Sequence, residues 1–144
     1  MCWVLYLAAD RELPLVPWTE QSPAFNVQSL PEAERGVTVQ FSKSHVYAVG
    51  AHTRCACGFD RGQATPDQPG ELRASEVSLA ALADYLRDAV RLAGSLELYS
   101  CWWGDQAATP DQRLRLGVED FTPTMDWFPD RTFAVVDVSA GPGP

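Results

Sequence analysis

Four side chains in this sequence are thiols, able to hold a soft metal ion or act as a nucleophile: Cys2, Cys55, Cys57 and Cys101. Cys55-Ala56-Cys57-Gly58 is the most suggestive run. Two thiols two residues apart on an extended segment point the same way, and a turn at Gly58 would let both reach one ion. Cys2 and Cys101 would complete a set of four thiolates, the tetrahedral donor set of structural zinc. That site needs the strand carrying Cys2 to run antiparallel to the strand carrying Cys101, so that the start of one meets the end of the other. His52, three residues before Cys55, is the alternative ligand. Zinc is the cofactor this set implies. The one-residue spacer is shorter than zinc knuckles prefer, and the competing reading is four separate, buried, reduced cysteines.

The same thiols admit other chemistry. Cys55 and Cys57 could cycle between dithiol and disulfide, with Arg54 favouring the thiolate. Cys2 is the candidate catalytic residue: removal of Met1 would expose it as an N-terminal thiol with its own amine as base. The opening Met1-Cys2 resembles the start of N-terminal-nucleophile amidohydrolases, a resemblance of two residues. It implies an oxyanion hole, for which Asn26 is the only asparagine. His45 and His52 are seven residues apart and face opposite sides of a straight strand, so no serine–histidine–aspartate set is legible. Gly58, Gly62 and Gly70 match no phosphate-binding loop.

A second kind of surface is acidic and aromatic. Residues 119–130 include Asp126, Trp127, Phe128 and Asp130, with no basic residue before Arg131. Trp102-Trp103-Gly104-Asp105 is similar: adjacent Trp side chains on a strand face opposite sides, leaving Trp103 beside Asp105 to line a groove. Rigid aromatics rimmed by carboxylates suit a basic protein partner. The competing reading is a loop whose aromatics plug the core while its acids stay in water.

Charge agrees with that division. The 144 residues carry 19 acidic and 11 basic side chains, a net charge of −8. Such a surface repels phosphate backbones and anionic membranes, so direct nucleic-acid or membrane binding is not expected. No apolar run reaches the roughly 18 residues that span a bilayer, and residues 2–9 lack a basic leader. The expected location is the cytoplasm. Arg far outnumbers Lys and there is no Ile, a bias of GC-rich bacterial genomes. These features together point to a small acidic bacterial binding protein stabilised by a cysteine-held metal. The alternative is a small cysteine-dependent enzyme or thiol redox protein using Cys2 or the Cys55/Cys57 pair.

The elements that must position these residues are partly legible. Residues 2–9 are apolar on both faces, as in a central strand. Residues 25–30 form a short strand and 31–36 a turn of helix or loop. Residues 37–42 alternate as a half-buried strand and pair as a hairpin with 45–51. Residues 60–70 are an exposed loop. A long helix covers about 76–93, with Leu79, Leu82, Leu86 and Ala89 on one face and Gly94 at its end. Strands follow at 96–103, 114–118 and 132–139. The order predicts one α+β domain over residues 1–140, with a largely antiparallel sheet of five or six strands and the helix on one face. Residues 141–144 are a flexible tail.

Overall fold

The computed structural model describes residues 2–138, so the expected tail lies outside the described residues. Six strands make one mixed sheet: β1 (Trp3–Ala9), β2 (Phe25–Ser29), β3 (His45–Ala51), β4 (Leu96–Trp102), β5 (Gln112–Gly117) and β6 (Thr132–Asp137). Their order is β2-β3-β1-β4-β6-β5. Every pairing is antiparallel except that of β5 with β6. Helix α1 (Pro69–Ala93) packs on one face, giving the expected α+β architecture. It is not apolar enough to cross a membrane, nor is any other helix among the described residues.

The apolar run that opens the chain becomes β1, flanked on both sides by β3 and β4. Its alternate side chains divide between two cores. Leu5 and Leu7 join Val49, Leu96, Leu98 and Val136 under Leu79, Leu82 and Leu86 of α1. Tyr6 turns the other way, to Ala48, Tyr99, Cys101, Phe133 and Val37. Burial on both faces is why this strand shows no polar alternation.

Helix α1 is longer than its apolar face predicts. It begins at Pro69, inside the stretch expected to be loop. Proline fits the first helical turn because its missing N–H has no intrahelical partner there. The first turn is polar and mostly exposed. Gly94 ends the helix with φ 88°, its N–H donating to Val90 O at 2.7 Å.

The expected strand at 37–42 is corrected. Glu32–Gln40 forms a 3-10 helix, with Val37 buried and Val39 70% exposed. The alternating pattern serves a segment laid across the sheet, and only Val37 enters the core. β3 consequently has no hairpin partner there. It pairs with β1 and β2 instead.

Leu86 is fully buried between α1 and the sheet. Leu86→Ala should therefore cost about 2–5 kcal/mol, read as a lower midpoint in denaturant unfolding. A loss under about 1 kcal/mol would contradict this packing.

Candidate functional site

The chain leaves β3 at Ala51 and doubles back on itself. Arg54 N–H donates to Ala51 O and Ala51 N–H donates to Cys55 O, both at 2.9 Å. The side-chain amide of Asn26 donates to Ala51 O at 3.5 Å and Arg54 O at 3.4 Å. Gly50 makes this possible: a Cβ there would stand 2.0 Å from Arg54 O. Arg54 takes a left-handed backbone, φ 70°, which costs a non-glycine residue about 1–2 kcal/mol. Its guanidinium lies 3.8 Å above the Trp18 ring.

Thr53 ties the rest of the turn together. Its hydroxyl donates to Cys55 O at 3.0 Å and accepts from Gly58 N–H at 3.0 Å. Residues Ala56–Phe59 then make a 3-10 turn. Phe59 sinks into the helix-side core, stacked on Trp127 with ring centroids 5.1 Å apart. Gly58 sits against the His52 ring, where a Cβ would fall 2.7 Å from ring atoms.

β1 meets this turn edge-on. Trp3 N–H donates to Cys57 Sγ at 3.2 Å, and Trp3 Nε1 donates to Asp60 at 3.2 Å. Trp3 also stacks on Trp102 of β4, centroids 3.7 Å apart. Cys2, one residue earlier, completes a cluster: the sulfurs of Cys2, Cys55 and Cys57 all lie within 4.8 Å of one another. Tetrahedral zinc with bonds near 2.3 Å separates its sulfurs by roughly 3.8 Å. Three thiolates of this set could hold a metal ion after a contraction of about 1 Å.

The sulfurs are not equivalent. Burial raises the Cys55 thiol, but the Thr53 hydrogen bond, the Cys57 backbone N–H and the Cys57 and Cys2 thiols outweigh it. Cys55 therefore lies below the usual thiol range. Burial pushes Cys57 up to about 12, against the pull of the Trp3 N–H and with the help of Cys55 and Cys2. Cys55 thus loses its proton first and shares that of Cys57.

Two of the expected ligands lie elsewhere. Cys101 stands opposite Val4, not Cys2, because the antiparallel register pairs Val4 with Cys101 and Trp103 N–H with Cys2 O. A diagonal neighbour on adjacent strands is about 7–8 Å away, so the right orientation still leaves this thiol out. Cys101 is fully buried beside Tyr6 and Tyr99. Burial, with Asp130 and Asp105 nearby, pushes it up to about 12. His52 turns toward α1, with Nδ1 3.1 Å from Ser78 Oγ and Nε2 3.1 Å from Glu71. It anchors the loop to the helix.

The acidic-aromatic residues are divided between core and surface. Phe128 is buried against Phe121, and Trp127 is partly buried on Phe59. Asp130 accepts from Trp102 N–H at 2.9 Å and lies 3.5 Å from Arg131 Nε. Asp105 is half-buried and Asp126 exposed. Trp103 is 51% exposed, the open aromatic side chain of the set. Of the two neighbouring tryptophans, Trp102 stacks inward on Trp3 while Trp103 faces out, as strand alternation requires.

Trp103 also borders a cavity of about 470 Å³ on the sheet face away from α1. Cys2 and Cys55 stand in its wall and Val4 and Ala48 form its apolar surface. Glu34 and Arg54 bring opposite charges to it. Glu34 accepts from Tyr6 Oη at 2.6 Å, and Gln106 donates to the same Oη at 3.3 Å. Sequence reasoning missed Glu34, Tyr6 and Thr53. They carry no spacing signal, and only the 3-10 segment across the sheet brings Glu34 to the cavity. Comparison with protein-family models, with curated proteins and with solved structures returns no match to this chain. The site therefore stands on its own geometry.

Two outcomes follow. Brief alkylation of folded, metal-free protein should label Cys55 and exposed Cys2 ahead of Cys57, and Cys101 only after unfolding; peptide mass mapping reads the order, and early labelling of Cys101 would contradict its burial. Gly50→Ala should destabilise the protein by about 1–3 kcal/mol and even out the labelling of Cys55 and Cys57, because the carbonyl of Arg54 must move.

Proposed function

We propose that this is a small metal-binding protein in which Cys2, Cys55 and Cys57 hold one soft divalent ion, zinc foremost, with a fourth coordination position open toward the cavity. One observation carries the reading: three sulfurs from two distant parts of the chain converge within 4.8 Å. Two half-buried thiols and one exposed thiol with no metal role would gain little from such convergence, since like charges raise each other's cost of ionisation. A bound dication removes that cost and favours thiolate at all three. Three thiolates around a dication leave one negative charge. Sulfur donors select zinc or cuprous copper over magnesium or calcium. A three-ligand site differs from a closed four-thiolate one in keeping a position for an outside ligand.

The opposed shifts of Cys55 and Cys57 favour a second reading, a dithiol that reduces a small external disulfide. The Cys55 thiolate would attack one sulfur and release the first thiol. The Cys57 sulfur would then displace the second, leaving a Cys55–Cys57 disulfide while the external partner gains two electrons and two protons. A basic protein partner would find Trp103 and Asp126 exposed for contact.

Purified protein titrated with zinc or cobalt should take up one ion per chain, cobalt with thiolate charge-transfer absorption. Cys55→Ser and Cys57→Ser should each weaken uptake by more than the roughly 10–100-fold that outer partners cost, while Cys101→Ser keeps one ion per chain. Failure of the native protein to bind either ion, with loss of two thiols on adding a small disulfide, would replace the metal reading by the redox one.

A further inference from the structure

The cavity beside the cysteines has an unusual charge arrangement. Glu34 and Arg54 both line it, yet neither forms an ion pair among the described residues. One Glu34 oxygen is engaged by the Tyr6 hydroxyl, which leaves the other oxygen available to a donor. Arg54 is stacked on Trp18, and stacking occupies the guanidinium face while its N–H groups stay directed outward in the plane.

The two charges are held apart by the sheet. Glu34 is bonded to Tyr6, which pairs with Ala48 of β3. The Arg54 carbonyl is bonded to Asn26, which pairs with Gly50 of β3. The backbone rows that anchor them are two residues apart along one strand, roughly 7 Å. Val4, Ala48 and the exposed Trp103 line the same cavity. The backbone of Arg54 is held left-handed by the loop, a strained conformation of the kind that persists where surrounding structure fixes a functional side chain.

We propose that this cavity binds a zwitterion the size of a di- or tripeptide, its ammonium at Glu34, its carboxylate at Arg54 and its apolar body on Val4, Ala48 and Trp103. An extended chain spans up to about 3.3–3.6 Å per residue, so a di- or tripeptide sets its free termini far enough apart to reach two side chains anchored at separate rows. A cavity of about 470 Å³ lies within the usual range for small-ligand sites.

The probe is tri-alanine, with N-acetyl-tri-alanine and tri-alanine amide as forms lacking one charge each. Titration of the full chain is followed by tryptophan fluorescence and calorimetry. Tri-alanine should saturate at one per chain, and each capped form should bind about tenfold or more weakly, as expected for losing one charge-assisted hydrogen bond. Glu34→Gln should weaken tri-alanine while leaving the N-acetyl form, which lacks the ammonium, unchanged. Arg54→Gly should weaken tri-alanine and leave the amide unchanged; glycine suits the left-handed backbone, so the loop is kept, and a folded spectrum verifies it. No saturation at millimolar tri-alanine, or equal binding of all three peptides, overturns the proposal. The contacts avoid the three sulfurs, so binding is expected with and without zinc. Its absence from both forms refutes the cavity reading and leaves the metal reading standing.

Discussion

The Arg54 carbonyl approaches the backbone of β3 at Gly50 so closely that no side chain of any size fits there. That contact folds the loop after β3 back onto its own strand instead of letting it run outward. Asn26 from β2 clamps the fold-back and Thr53 closes it. Cys55 and Cys57 are thereby delivered to the first residues of β1. Were the loop to extend away, Cys2 would face solvent alone and the two later thiols would belong to an exposed turn.

The rest of the architecture supplies a rigid frame for that delivery. The helix-side core fixes Phe59 between Phe25 and Trp127, so the 3-10 turn carrying Cys57 cannot slide. Stacking of Trp3 on Trp102 fixes the start of β1. His52 reaches the helix through Ser78 and Glu71. The cysteine cluster is thus supported from β1, β4 and α1 at once, which is what a site needs if its donor atoms are to be held without a ligand present.

The two faces of the sheet divide the labour. One is closed by α1 and carries most of the buried aliphatic side chains. The other is covered in part by the 3-10 helix Glu32–Gln40, which inserts only Val37 and leaves the cavity beside it. The polar groups there, Tyr6, Glu34 and Gln106, are hydrogen-bonded to one another, so their burial is compensated. Burial and the neighbouring carboxylate raise the Tyr6 hydroxyl above its ordinary value, and it stays a donor to Glu34. In a chain of net charge −8, Arg54 is the one basic residue in the lining of this cavity.

Sequence by itself determined the sheet-and-helix class, the central strand at residues 2–9, the amphipathic half of α1 and the chemical identity of the thiols. Those features follow from local periodicity and residue type, which act over a few positions. The start of α1 and the 3-10 helix at 32–40 were not legible, because polar helical turns and an alternating segment laid across a sheet carry the patterns of a loop and a strand. Which cysteines meet was decided by tertiary structure alone. The sequence favoured four thiolates with His52 as an alternative ligand, and pair register set Cys101 two residues away from the partner of Cys2 while helix packing drew His52 away. Glu34 reaches the cavity for the same reason: its place depends on where a distant segment crosses the sheet. Ligand sets and cavities are built from residues tens of positions apart, and the forces that join them are packing and register between elements, which no local pattern encodes.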